Sequence, residues 1–192
     1  MRRRFRRRPA KRHYAGLLLL LVIAVRLWQS NSDLENTTPE NIAEGVYRVR
    51  RVVDGDTLIV SSQEDANGRS TSSHQDTEIR VRLLGVDTPE TVRPNHPIEP
   101  WGLQATDFTK QFVSQGQVTL RFGPTRKDQY GRILAYVFVD ELMLNEELAR
   151  AGLAQVKIYS GEASSLSTRL RVAEAEARQA LRGIWSAGTP SR

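Results

Sequence analysis

IRVRLLGVDTPE, from Ile79 to Glu90, is the stretch that decides the fold. Its first half alternates, with Ile79, Val81 and Leu83 on one side and Arg80, Arg82 and Leu84 on the other. That is the two-residue period of a half-buried β-strand. Gly85 then loosens the backbone. Pro89 holds Thr88 extended and stops the strand from continuing. A strand therefore carries Arg82 sideways and ends in a stiff turn bearing Asp87 and Glu90. One cation and two anions on a pinned backbone make a candidate site.

Upstream, Val46 to Val53 (VYRVRRVV) and Thr57 to Val60 (TLIV) are β-rich, and Asp54-Gly55-Asp56 joins them as a tight turn in which Gly55 is expected to supply unusual backbone angles. Ser61 to Thr77 is almost devoid of apolar residues and reads as a long solvated hairpin loop. His74 falls within it. Downstream, three prolines between Thr91 and Pro100 exclude helix. Leu103 to Val113 has helical spacing, with Ala105, Phe108 and Phe112 on the expected buried face. Val118, Leu120 and Phe122 mark a fourth strand and Ile133 to Val139 a fifth. Asn145 is expected to cap a short helix that Gly152 ends. Ser164, Ser165 and Ser167 offer caps for a last helix with the stripe Leu166, Leu170, Ala173, Ala177, Leu181, closed by Gly183. Ile184 and Trp185 are expected to fold back on the body. Five short-spaced strands with three helices predict a mainly β domain, a five-stranded OB-type barrel, spanning residues 44–185.

The remaining segments read differently. Residues 1–32 hold nine of the 28 lysines and arginines and none of the 22 acids. The formal charge of +6 therefore belongs to this leader, and the rest carries 19 basic against 22 acidic groups, a net of −3. Bulk charge carries no nucleic-acid argument here; local residues must. A basic block followed by the apolar run Tyr14 to Val25 has the form of an export signal. With Arg26 and Trp28 behind it, the same run also suits an uncleaved membrane anchor. Either way the remainder is expected outside the cytoplasm, with membrane contact through this segment if it is retained. Residues 33–43 read as a linker and 186–192 as a tail. No cysteine is present, which excludes thiol catalysis, cysteine zinc sites and disulfides.

Charge gathers at four places on strand ends and loops: Asp54-Gly55-Asp56, Arg82 with Asp87-Thr88-Pro89-Glu90, KDQYGR from Lys127 to Arg132, and VKIYS near residues 156–160. Taken singly, each has a plain structural explanation as a turn or a surface ion pair. Together they place two arginines, two aspartates and a glutamate at neighbouring strand ends. Aspartate oxygens suit a hard cation, calcium or magnesium. Guanidinium forks suit the charge that gathers on a phosphoryl group under attack, and a nearby carboxylate suits activation of water.

Six blocks taken in order, VVDGDTLIV, RVRLLGVDTPET, PWGLQA, DQYGRILAYVFVD, LNEELARAGLAQV and EAEARQALRGIW, resemble the staphylococcal nuclease (thermonuclease) family. The resemblance runs from about Val46 to Trp185. It implies calcium-dependent cleavage of single-stranded DNA and RNA that leaves 3′-phosphates. It also implies Asp56, Asp87 and the Thr88 carbonyl as calcium ligands, and Glu90 acting on the attacking water. Arg82 and Arg132 would grip the phosphate, with Tyr130 and Tyr159 contacting the nucleotide. Gln129 replaces a family lysine, and only Tyr159 stands where the family has a tyrosine pair. A monomer is expected. The alternative of the same barrel binding nucleic acid or a protein without cutting stays open at this point, because fold alone does not decide function. A sugar-transferase reading of Asp54-Gly55-Asp56 is discounted for want of a parallel α/β pattern.

Overall fold

The computed structural model describes residues 42–62, 78–91, 97–159 and 164–186. The leader, most of the 61–77 loop with His74, and part of the proline segment lie outside the described residues. Among the described residues no helix is long and apolar enough to cross a membrane.

Five strands close the barrel: β1 (Gly45–Asp54), β2 (Thr57–Ser62), β3 (Ile79–Leu83), β5 (Gln117–Lys127) and β6 (Ile133–Val139). Their order is β3-β2-β1-β5-β6, and β3 returns to β6 in parallel. All other neighbours in the barrel are antiparallel. Short strands β4 (Val86–Asp87), β7 (Leu142–Met143) and β8 (Gln155–Val156) lie outside the barrel, and β4 pairs with β8. The two long strands bend to serve two neighbours each. β1 shifts register at Val49/Arg51 and Val52/Asp54, and β5 between Phe122 and Lys127. Such irregularities supply the extra twist that closing a small barrel requires.

Alternation fills the interior. Leu58, Val60, Val81, Leu83, Val118, Leu120, Ala135 and Val137 are buried and belong to one core cluster. Helix α1 (Gly102–Phe112) packs with Ala105, Thr106 and Thr109 buried, and Phe108 and Phe112 only partly so. The face expected from the phenylalanines is thus shifted towards the threonines, because this helix also carries hydrogen-bonding duties.

Helix α2 (Leu144–Arg150) starts from Met143 without a side-chain cap, which corrects the role expected of Asn145. Asn145 is fully buried instead. Its Oδ1 accepts from the Val137 amide at 2.9 Å, and its Nδ2 donates to the carbonyls of Leu84 at 2.9 Å and Ala135 at 3.3 Å. It stitches the helix to the point where β3 meets β6. Helix α3 (Ser165–Gln179) does begin at a serine box, Ser164 and Ser167 bonding reciprocally. Its buried stripe is Leu170, Ala173 and Ala177; Leu181 falls beyond the helix and is 61% exposed, a correction to the expected stripe. Ile184 tucks in as expected, and Arg178 stacks on the Trp185 ring at 3.6 Å.

Candidate active site

Both acid-bearing turns are clamped by α1. Gly55 does not have a positive φ, contrary to expectation. Glycine is needed there for approach: an added Cβ would stand 2.8 Å from Thr88 Oγ1 and 2.8 Å from the Ala105 Cβ. Thr109 Oγ1 donates to the Gly55 carbonyl at 2.6 Å. On the other side, a Cβ at Gly102 would lie 3.2 Å from the carbonyls of Pro89 and Glu90. The helix therefore presses Asp54-Gly55-Asp56 and Asp87-Thr88-Pro89-Glu90 into one place.

Arg82 joins what that clamp brings together. One guanidinium nitrogen donates to Asp56 Oδ1, and the other to Asp87 Oδ1 at 2.7 Å and to the Val86 carbonyl at 3.4 Å. Asp56 Oδ2 accepts from the Thr88 amide at 2.8 Å. Asp56 is 1% exposed. Burial, with Asp54 and Asp87 adding to it against the opposing pull of Arg82, pushes its carboxyl up to about 7. Asp87 goes the other way. Burial raises it, but hydrogen bonds from Lys157 and Arg82 hold it below its ordinary value. Two neighbouring carboxylates thus differ because one is sealed in and the other sits at the rim under two cations.

Lys157, the one charge of the VKIYS stretch, takes a role that sequence reasoning does not assign. Its Nζ reaches Asp87 Oδ2 at 2.5 Å, and its backbone amide bonds the Gly85 carbonyl at 2.9 Å. The β4–β8 pairing carries it there, and no local signal announces a contact 70 residues apart. Asp128 of KDQYGR likewise has a role beyond what its sequence assigns. Its Oδ1 accepts from the amides of Tyr130 and Arg132, and its Oδ2 takes Arg132 Nε at 2.7 Å. This small turn orients Arg132, whose guanidinium lies 5.5 Å from the Tyr130 ring.

A groove of about 480 Å³ opens between these elements, lined among others by Arg82, Asp87, Tyr130, Arg132, Lys157 and Tyr159. Tyr130 and Tyr159 are exposed. Asp56 and Thr88 reach the same place from behind, through Arg82. Glu90 is not among the residues lining the groove; its Oε1 accepts from the Thr91 amide at 3.1 Å and its own amide bonds Glu99 Oε2. The donor set suits a hard divalent cation, since Asp56 and Asp87 approach the same guanidinium and so bring carboxylate oxygens to one place. Among the described residues no three acidic or histidine side chains converge. The protein would offer two carboxylates and a carbonyl, leaving room for water and phosphate oxygen.

The sealed carboxyl has a measurable consequence. A group whose folded value lies above its unfolded one stabilises the fold while protonated. Stability is then lost as pH rises from about 4 through about 7, up to about 4 kcal/mol for this shift. In chelator at pH 8, Asp56→Asn should therefore stabilise the fold by about 2 kcal/mol once the weakened Arg82 contact is counted, seen as a higher melting temperature. At pH 4 the gain should vanish. Parallel melts at the two pH values check this.

The family model for staphylococcal nuclease homologues matches residues 80–187, which include every site residue above except those of the Asp54-Gly55-Asp56 turn. The chain is 36% identical over 180 residues to the thermonuclease of Staphylococcus hyicus, covering 92% of this chain and 99% of that protein. It is 37% identical over 172 residues to the thermonuclease of Staphylococcus intermedius, covering 88% and 94%. It is also 39% identical over 137 residues to endonuclease YncB of Bacillus subtilis (strain 168), covering 71% and 59%. With the OB-type barrel that the resemblance implies also present, the chain belongs to the staphylococcal nuclease family of phosphodiester hydrolases.

Proposed function

We propose that the protein is an exported, calcium-dependent nuclease that hydrolyses single-stranded DNA and RNA to 3′-phosphate products. The observation that carries this reading is the Arg82 fork gripping Asp56 and Asp87 at the back of a groove, with Arg132 locked by Asp128 in its lining. Calcium, when held by Asp56, Asp87 and the Thr88 carbonyl, would supply charge neutralisation and polarise a phosphoryl oxygen.

The chain's own residues do the rest. Arg82 and Arg132 take the charge that develops on the equatorial oxygens, each presenting a rigid fork that cannot lose its proton. Glu90 orients the attacking water, its carboxylate turning from the Thr91 amide. Water oxygen bonds to phosphorus and releases a proton, the bond to the 5′-oxygen breaks, and the departing 5′-oxygen takes up a proton, so that the two cancel. Tyr130 and Tyr159 offer exposed rings to the nucleotide. Export rests on the leader's basic and apolar blocks.

The test is single-stranded DNA incubated with the protein and calcium, then with chelator, followed by end analysis. Cleavage that requires calcium and leaves 3′-phosphates is expected; tight binding with no cleavage in either condition would favour the non-catalytic module instead. A second expectation concerns Lys157. Its ammonium occupies an Asp87 oxygen that calcium would need, and exposed pairs of this kind are worth up to about 1 kcal/mol. Lys157→Met should tighten calcium binding about 5-fold by titration calorimetry. Unchanged affinity would show that the ammonium does not compete.

A further inference from the structure

Strands β1, β2 and β3 carry five arginines, at 48, 50, 51, 80 and 82, and their one acid is Asp54 at the turn. In β3 the inward residues Ile79, Val81 and Leu83 are buried, so Arg80 and Arg82 leave by the outer face. Arg80 pairs across the ladder with Ile59, and Ile59 pairs with Arg51. Residues directly opposite one another project to the same face. Arg51, Ile59 and Arg80 therefore form a row across three strands, and Arg82 of the active site stands two residues from one end of it.

The register shift between Val49 and Arg51 adds a further arginine. An extra residue in a strand re-aims side chains, and Arg50 Nε donates to Ser61 Oγ at 3.0 Å, on the same face of β2 as Ile59. Sheet geometry sets the spacing at about 7 Å from Arg82 to Arg80 and about 10 Å from Arg80 to Arg51. Ile59 is only 5% exposed, while Arg51 and Arg80 are exposed. Arginine stems flank the isoleucine and leave their charged heads in water.

Among the described residues no carboxylate pairs with Arg51 or Arg80. Three arginines of the helices behave differently: Arg150, Arg169 and Arg178 each pair with a glutamate. Arg51 and Arg80, without a carboxylate partner among the described residues and lined up beside an active-site arginine, concentrate positive charge on a chain that is net acidic beyond its leader. Among the described residues, β1 to β3 expose no aromatic ring that would stack a base. The chemistry that fits is a run of phosphates, bound without sequence readout.

We propose that this row is a phosphate track that carries a single nucleic-acid strand away from the cleavage groove, with Arg82 at the cut phosphate and Arg80 and Arg51 at phosphates beyond it. The proposal deepens the nuclease reading and rests on it only for what happens at Arg82. Backbone binding at Arg80 and Arg51 does not require cleavage.

The experiment is fluorescence anisotropy with the full chain in chelator, using labelled oligothymidylates of two and of about 20 nucleotides. The leader contributes equally to every protein compared. Each phosphate contact on a single strand adds about 0.7 to the slope of log affinity against log salt between about 50 and 200 mM. The Arg51→Gln/Arg80→Gln double variant should bind the long oligonucleotide at least 5-fold more weakly, with the slope reduced by about 1.4, and bind the dinucleotide as wild type does. Arg121→Gln, on an exposed β5 position, should change neither. Wild-type affinity and slope in the double variant would overturn the track, as would an equal loss in Arg121→Gln. Melting curves confirm that the variants are folded. If the wild type binds with full slope yet cuts nothing with calcium, the nuclease reading falls and the track stands. If the double variant both binds and cuts as wild type does, the track alone falls.

Discussion

Arg82→Ala is expected to lower cleavage of single-stranded DNA at least 100-fold at saturating calcium, about 3 kcal/mol of transition-state stabilisation. Its guanidinium is the group shared by Asp56 and Asp87, so truncation does two separable things. It removes a fixed charge aimed at the phosphate. It also strips the sealed Asp56 carboxylate of its main counter-charge, which pushes that carboxyl higher still and favours its protonated form. The stability loss in chelator should therefore be smaller at pH 5, where only the Asp87 pairing is lost, and grow above pH 7, where the wild type also ionises Asp56 with Arg82 beside it. Saturating calcium should recover the melting temperature but not the turnover. A variant that cleaves within about threefold of wild type would remove Arg82 from the chemistry. One whose turnover returns together with its melting temperature would make it merely structural.

Gly152→Ala is expected to cost at least about 3 kcal/mol of folding free energy, seen as a fall of about 10 °C in melting temperature. Gly152 follows α2 at φ 69°, and a Cβ there would meet the Arg182 carbonyl oxygen at 2.3 Å. From the other side, a Cβ at Gly183 would meet the Gly152 carbonyl oxygen at 2.1 Å. The chain reversals after α2 and α3 thus press backbone on backbone, sealed by the Ile184 amide donating to the Gly152 carbonyl at 2.8 Å. Neither backbone can yield as a flexible side chain would, and left-handed geometry adds strain for any residue with a Cβ. Urea denaturation checks the magnitude. A loss under about 1 kcal/mol would mean the two reversals can separate without cost. Cleavage per folded molecule at low temperature should be unchanged, because this contact is made by the helix ends and not by the residues that line the groove.

These two positions were legible to different degrees. The alternation around Arg82 and the break at Pro89 marked a site directly, since both are local consequences of strand period and proline geometry. Gly152 was read as a helix stop, which it is, yet its pairing with Gly183 is a contact between distant segments that no local pattern encodes. Asn145 was misread for the same reason. Asparagine near a helix start ordinarily caps, but the three backbone groups it serves at Val137, Leu84 and Ala135 become neighbours only after the barrel closes. A tight turn suggests unusual backbone angles for Gly55, whereas its need is room for Thr88. The role of Lys157 is not legible because a two-residue pairing, Val86 with Val156 and Asp87 with Gln155, leaves too short a pattern to detect.

The parallel seam between β3 and β6 sets Arg82 opposite Leu134, and Asn145 bonds across it. The groove needs both sides of that seam, Arg82 and Asp87 on one and Arg132 and Leu134 on the other. Strands far apart in sequence join late, because their loop must be closed before any contact rewards it. Hydrolytic competence then requires this long-range pairing, and is not expected of a chain in which only the β1–β2 and β2–β3 hairpins have formed. For a nuclease, that dependence ties cutting to a completed fold.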